Sequence, residues 1–151
     1  MSENNPFNVF VCHVFQENED YQRVFEYLES RDNFFYTNYS NPENRPSSGG
    51  PEAIKEELRN QIKDAEVVIL PLAVSELNPD LINFQLGYAQ VEKKPILGIQ
   101  SFGGTVAISK LVLDRCDDVI EWNERTIISS IKKLSRDEDT ALWETVEFSL
   151  D

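Results

Sequence analysis

Gln85 is a polar residue between apolar neighbours in the segment "INFQLGYAQVEKKPILGI", which reads as an amphipathic helix, a Lys-Lys turn and a buried strand. Phe84 and Leu86 on either side are apolar, and the helix start lies where a parallel sheet binds its ligands. An amide there can donate and accept hydrogen bonds, but it supplies no charge to a reacting group. We therefore predict a ligand contact at Gln85, with an ordinary surface glutamine as the alternative.

Other candidate side chains lie mainly at the carboxyl ends of three predicted strands. His13 is the only histidine of the chain, and a lone histidine at a strand end more often has a hydrogen-bonded structural role than a catalytic one. Tyr39 and Ser40 could also serve only to shape a loop, and Tyr88 could pack as core or rim. The candidate ligand contacts are His13, Val14 and Phe15 at the end of the first strand, Tyr39, Ser40 and Asn41 at the end of the second, residues 75–78 after the third, and Tyr88 on the helix of Gln85.

The elements that must position these residues alternate between strands and helices. Strand-like runs are "NVFVCHVF", "FFYTNY", "EVVILPLAV", "KPILGI" and "DVIEW". Helical periodicity separates them, and the run "EVVILPLAV" is apolar throughout, as in a central parallel strand. The pattern predicts an α/β three-layer sandwich of flavodoxin-like type, with a central parallel sheet of about five strands. We expect one domain over residues 1–134 and an extension over 135–151 that packs on the domain or on a partner.

Composition excludes several functions. The net charge is -13, so nucleic acid would be repelled from most of the surface. Cys12 and Cys116 lie in or beside apolar runs without a CxxC partner, which favours reduced thiols and, with a single histidine, argues against a metal site. No apolar run approaches the roughly 20 residues of a membrane span, and we expect a cytoplasmic protein with no membrane or nucleic-acid partner.

Five motifs in unbroken order resemble one known family. They are "FVCHVFQENEDYQRVFEYL", "NFFYTNYSNPENRP", "LRNQIKDAEVVILPL", "NFQLGYAQVEKKPILGI" and "CDDVIEWNERTIISSIKKL". From Phe7 to Leu134 the chain resembles the TIR-like family that includes the TIR subunit of Thoeris anti-phage defence systems. The resemblance implies the TIR fold, which agrees with the pattern of strands and helices.

The resemblance also implies a chemistry. TIR-like enzymes use NAD as substrate, break its nicotinamide glycosidic bond and hydrolyse or rejoin the ADP-ribose, so they act as NAD glycohydrolases or ADP-ribosyl cyclases without a metal. The product can be a cyclic second messenger that activates a separate effector protein. A phage-derived activator and a homo-oligomer are compatible with this family.

The family's helix usually carries the catalytic glutamate at the position of Gln85, and Leu81 stands where it usually has tryptophan. Breaking the glycosidic bond leaves a positively charged ribose that a carboxylate stabilises and an amide does not, so this chain should be a poor catalyst. Two explanations stay open: an isosteric replacement that preserves the site while stopping turnover, or a natural pseudoenzyme that binds nucleotide or acts as a scaffold. The segment around Gln85 also resembles nucleoside deoxyribosyltransferases, whose glutamate is a covalent nucleophile.

Two expectations about the site follow. Gln85 should line a solvent-connected pocket together with the end of the first strand and the 39–45 loop. The loop "SNPENRPSSGG" should be mobile without ligand and close over the pocket, where Arg45 offers a cation to a pyrophosphate.

Overall fold

A five-stranded parallel sheet organises the computed structural model, which describes residues 5–104 and 107–136. The strands are β1 (Phe7–Val11), β2 (Tyr36–Asn38), β3 (Val67–Pro71), β4 (Ile96–Ile99) and β5 (Asp118–Ile120). The helices are α1 (Glu19–Glu29), α2 (Gly50–Ile62), α3 (Pro79–Val91), α4 (Lys110–Arg115) and α5 (Glu124–Arg136), with 3-10 turns at Leu72–Glu76 and Phe102–Gly104. The strand order is β2-β1-β3-β4-β5, which confirms the predicted flavodoxin-like α/β sandwich.

Helices cover both faces of the sheet. Val9 and Val11 of β1 point into a core with α1 and α5, whereas Phe10 and Cys12 point into a second core with α2 and α3. Every residue of β3 is buried, as expected for the central strand of a sheet that is covered on both sides. This arrangement leaves the two ends of the sheet as the places where loops can form a site.

Strands β1 and β3 end three or more residues earlier than their apolar runs predict. β1 ends at Val11 rather than at residue 15, although the N–H of Cys12 still donates to the carbonyl of Ile69 at 2.8 Å. β3 ends at Pro71, and the apolar residues after it form a 3-10 turn. Apolar composition predicts burial, but it does not distinguish a strand from the buried turn that follows it.

Asparagine caps start two helices at the carboxyl edge of the sheet. The Asn18 side chain accepts a hydrogen bond from the N–H of Tyr21 at 3.0 Å, and the Asn78 side chain accepts one from Leu81 at 3.2 Å. Each cap satisfies an N–H that the first turn of a helix leaves unpaired. The caps thus fix where the chain turns from the ligand-facing loops into α1 and α3.

The predicted C-terminal extension, 135–151, lies outside the described residues from position 137 onward, so its packing stays a prediction. In the described ranges no helix is long and apolar enough to cross a membrane. Cys12 and Cys116 are free thiols, and burial raises the pKa of Cys116 to about 11 and that of Cys12 still further. Neither thiol is therefore activated as a nucleophile.

Candidate functional site

The candidate site lies beside the switch point of the sheet. Strand β1 has β2 on one side and β3 on the other, so the connections after β1 and β3 leave in opposite directions. A cleft of about 590 Å³ opens here between the loop after β1 and the loop after β2. It is lined by Phe15, Gln16, Glu17, Tyr21, Gln22, Asn38, Ser40, Asn41, Pro42, Glu43 and Arg45.

The cleft brings together some of the predicted site residues and leaves others outside its lining. Four of the nine predicted site residues line the cleft, namely Phe15, Ser40, Asn41 and Arg45. The other five, which are His13, Val14, Tyr39, Gln85 and Tyr88, are not among the lining residues.

Gln85 is a correction to the sequence prediction. Its side chain is 0% exposed, so the expectation that it lines a solvent-connected pocket is wrong. Its Nε2 donates to the carbonyl oxygen of His13 at 2.7 Å and to that of Leu81 at 3.3 Å, and its Oε1 accepts from the N–H of His13 at 3.3 Å. The amide holds the backbone of His13 just past the end of β1.

His13 is buried and fully hydrogen-bonded. Its Nδ1 accepts from the N–H of Phe15 at 3.2 Å, so the ring proton is on Nε2, which donates to Oε1 of Gln61 at 2.9 Å. Burial lowers the pKa of His13, and the hydrogen bond to Gln61 opposes that shift only in part. A neutral imidazole with both nitrogens occupied fits the structural role rather than a proton-transfer role.

Gln61 is a site residue that sequence analysis missed as a functional position. It lies on α2, 6% exposed, with its Oε1 also accepting from the N–H of Asn41 at 2.9 Å and its Nε2 donating to the carbonyl of Asn41 at 3.2 Å. The available signal was a polar residue next to Leu58 and Ile62, on the apolar side of the helix. Such a buried amide needs partners, and here they are the two loops of the cleft.

The wall formed by α1 and β2 is also hydrogen-bonded. The hydroxyl groups of Tyr21 and Ser40 lie 2.8 Å apart, and Ser40 donates in turn to the side-chain oxygen of Asn38. Burial raises the pKa of Tyr21, so its phenol stays protonated and available as a neutral hydrogen-bonding group. These three side chains all line the cleft.

Phe15 adopts a left-handed backbone conformation, with φ of 58°, which is rare for a bulky residue. Its ring packs edge-on against His13 at 4.7 Å between centroids, and its N–H is held by the same imidazole. The structure around His13 thus holds a strained residue at the mouth of the cleft, a feature that is enriched at functional sites.

The charges in the cleft are mixed. Arg45 is exposed and is the basic side chain among the residues of the lining, while Glu17 and Glu43 are its acidic ones. With a net charge of -13 on the chain, Arg45 is well placed to offset local repulsion of an anionic ligand. In the described part of the chain, no group of three or more His, Cys, Asp or Glu side chains is arranged to bind a metal.

The remaining predicted residues have packing roles. Val14 is buried in the core, and the N–H of Tyr39 donates to the carbonyl of Val9 at 2.9 Å, which extends the pairing of β2 with β1. Tyr88 stacks on Phe84 with 6.5 Å between ring centroids.

The predicted 75–78 loop contributes to a different cleft of about 490 Å³ beside α3 and α4. Ser75 and Glu76 line that cleft, and the Ser75 hydroxyl donates to the carbonyl of Leu72 at 2.6 Å. The residues that follow β3 therefore belong to a depression separate from the cleft beside Phe15.

One family model matches more than half of the chain. Residues 10–103 match the family model for the TIR-like domain of the Thoeris protein ThsB, which is well over half of the chain. The chain belongs to this family. The match to the ThsB TIR-like family covers the end of β1, all of β2 to β4, both loops of the cleft and Gln85, and it indicates a role in anti-phage defence. No curated protein matched the chain.

Proposed function

We propose that this ThsB TIR-like domain binds NAD or a nucleotide derived from it in the cleft beside Phe15 and Arg45. The supporting observation is the position of the cleft, at the carboxyl ends of β1 and β2 and next to the switch point, where open α/β sheets bind nucleotides. Its volume of about 590 Å³ falls in the range of small-molecule sites.

The chemistry of the lining supports a dinucleotide. Phe15 and Tyr21 offer aromatic surface for a base or the nicotinamide ring, and Ser40 and Asn41 offer polar groups for ribose hydroxyls. Arg45 offers a planar cation for the pyrophosphate. In this proposal the loop after β2 closes over bound nucleotide, which brings Arg45 to the phosphates.

The associated reaction is cleavage of the nicotinamide glycosidic bond, followed by hydrolysis or rejoining of the ADP-ribose. In the family's reaction a separate effector then responds to the diffusible, cyclic product. A cytoplasmic location, a phage-derived activator and assembly into a homo-oligomer belong to the same proposal.

Gln85 limits turnover in this proposal. A charge-stabilising group at an active site commonly contributes about 100-fold to 1000-fold in rate, and the neutral amide supplies none. Because Gln85 is also buried and bonded to His13, a carboxylate at this position reaches the ribose only if the segment from His13 to Phe15 moves. The buried amide favours nucleotide binding with little turnover, which is the behaviour of both an inactivated enzyme and a pseudoenzyme.

Binding is tested by titrating the unmodified chain with NAD and with ADP-ribose by calorimetry, beside Arg45→Ala and the control Lys63→Ala. Lys63 is an exposed cation that follows α2, at the opposite edge of the sheet. We expect Arg45→Ala to weaken NAD binding about tenfold or more, as for a charge-assisted hydrogen bond, and Lys63→Ala to change it little. Equal affinity in both variants would remove Arg45 from the proposal, and no binding by any form would contradict it.

Chemistry is tested by nicotinamide release from NAD by the unmodified chain and by Gln85→Glu, with and without a phage lysate. We expect release from the Gln85→Glu variant only. Inactivity of both forms together with tight NAD binding would favour the pseudoenzyme explanation. Base exchange on deoxynucleosides by the Gln85→Glu variant alone would favour the deoxyribosyltransferase alternative.

A further inference from the structure

The side chain of Gln61 joins the two loops that wall the cleft. On one side it holds the loop after β2, because its Oε1 accepts from the N–H of Asn41 at 2.9 Å and its Nε2 donates to the carbonyl of the same residue at 3.2 Å. Asn41 is an exposed loop residue that lines the cleft. The buried side chain of Gln61 therefore holds both backbone polar groups of a lining residue.

On the other side Gln61 holds the loop after β1 through His13. The Oε1 atom accepts from Nε2 of His13 at 2.9 Å, and Nδ1 of His13 accepts from the N–H of Phe15 at 3.2 Å. A continuous set of hydrogen bonds thus runs from Asn41 through Gln61 and His13 to Phe15. It connects the two walls through side chains that are themselves buried.

A further hydrogen bond explains why position 61 needs a glutamine side chain. Nε2 of Gln61 also donates to Glu57 at 2.8 Å, and the same carboxylate oxygen accepts from the side chain of Asn44 at 2.8 Å. Both lone pairs and both amide hydrogens of Gln61 are therefore used. Glutamate would keep the acceptor for His13 and for the N–H of Asn41 and lose both donors, whereas leucine would lose every one of these bonds.

We propose that Gln61 is the positioning residue of the cleft, holding the Phe15 and Asn41 loops at the separation that a nucleotide needs. The identity of the ligand in this inference rests on the proposed function, whereas the contacts of Gln61 do not depend on it. Gln61 is beneath the lining and touches no ligand. Its effect on binding passes through Asn41 and His13.

The test is hydrogen exchange of the unliganded protein by NMR, comparing the unmodified chain with Gln61→Leu, Gln61→Glu and the control Asn60→Ala. Asn60 is the exposed neighbour of Gln61 on α2, and His13 is the only histidine, so its ring N–H gives one assignable signal. In Gln61→Leu we expect the Asn41 amide and the His13 ring N–H to exchange about tenfold faster, as for a lost hydrogen bond. The Val68 amide, which donates to Pro95 at 2.9 Å in the sheet, should not change.

The two variants should differ at His13 and at the Asn41 amide. Gln61→Glu keeps an acceptor for both groups, so both stay protected there, while the loss of the donors to the Asn41 carbonyl and to Glu57 still lowers NAD affinity. A general loss of stability would instead accelerate Val68 and His13 in both variants alike, and that result would overturn the positioning role. Should Gln61→Leu fail to fold, Gln61→Met, which also lacks the acceptor and both donors, carries the same comparison of Asn41 with Val68.

The outcomes separate this inference from the proposed function. Unchanged Asn41 exchange in Gln61→Leu would overturn the inference whatever the NAD affinity does. Faster exchange with unaltered NAD affinity would overturn it as well, since the loops would then be released without consequence for the ligand. Absence of NAD binding by the unmodified chain would instead contradict the proposed function, and Asn41 exchange would still decide whether Gln61 holds the loops.

Discussion

The side chain of Gln85 forms hydrogen bonds with both backbone polar groups of His13. Its Nε2 lies 2.7 Å from the carbonyl oxygen, and its Oε1 lies 3.3 Å from the amide nitrogen. A glutamine can make this pair of bonds because it carries a donor and an acceptor on one planar group. An ionised glutamate would place a second oxygen against the His13 carbonyl. These two bonds to buried backbone give a structural reason for an amide at position 85.

We predict that Gln85→Glu destabilises the fold by about 1–3 kcal/mol at neutral pH, the usual effect of leaving a buried polar group unsatisfied. Burial raises the pKa of a carboxyl group above its unfolded value of about 4.3. The loss is therefore small below about pH 4, where the introduced carboxyl group is protonated and still donates to His13, and it grows as the pH rises toward neutrality. Urea denaturation across this range measures it.

Gln90→Glu makes the same chemical change at an exposed position of the same helix and provides the control. The Oε1 atom of Gln90 already accepts from Arg115 at 3.0 Å, so a carboxylate should be tolerated there at every pH. Equal and pH-independent effects of the two substitutions would contradict the buried pair of bonds at Gln85.

A second prediction concerns acid stability. Burial holds the pKa of His13 below its ordinary value of 6.5, so the unfolded chain binds a proton more readily than the folded chain does. Stability from the neutral ring is fully present above about pH 6.5, and it falls as the pH drops from there toward the lowered folded pKa. NMR titration of the single imidazole gives the folded pKa directly.

His13→Asn isolates this contribution, because the Asn side-chain oxygen can replace Nδ1 as acceptor for the Phe15 N–H but does not titrate. We expect the stability difference between the two proteins to shrink as the pH falls from about 7 to about 5. A difference that stays constant over this range, or a His13 pKa at or above 6.5, would show that the ring is not held neutral by burial.

A third prediction concerns the ion pair between the end of α5 and the approach to β3. Arg136 donates through Nε and Nη2 to the two oxygens of Glu66, at 2.6 and 2.8 Å, and the N–H of Asn8 donates to the same carboxylate at 2.9 Å. These bonds lower the pKa of Glu66 below 4.5, and the hydrogen bond from Arg136 makes the largest contribution. Glu66→Gln should cost about 1–3 kcal/mol at neutral pH, as for bonds to a charged group.

The ion pair of Glu66 stabilises the fold more as the pH rises, whereas the Gln85→Glu variant becomes less stable as the pH rises. The stability from Glu66 is present above its unfolded pKa and is lost as the pH falls through the lowered folded value. The control is Glu56→Gln, whose carboxylate is 64% exposed and pairs with Arg59 at 3.0 Å, so that variant should lose under about 0.5 kcal/mol. Similar losses in both variants by urea denaturation would contradict the prediction.

The fold was predictable from sequence because its main determinant is local. β-branched and aromatic runs such as those of β1 and β3 alternate with helical periodicities such as Leu58 and Ile62, and that alternation commits the chain to a parallel sheet covered on both faces. The strand ends were less predictable, since Val14 and Leu72 are as apolar as residues within a strand. Their backbone conformations depend on neighbours that are distant in sequence.

The sequence by itself determined the family, the sheet, and the two loops after β1 and β2 that wall the cleft, because these follow from the order and periodicity of residue types. Only the tertiary structure decided what the polar residues near those loops do. Gln85 and His13, 72 positions apart, are buried against each other, and Gln61 meets Asn41 across 20 positions. A polar side chain has the same composition whether it faces a ligand or satisfies a buried backbone group, and the difference lies in partners that folding alone brings within hydrogen-bonding distance.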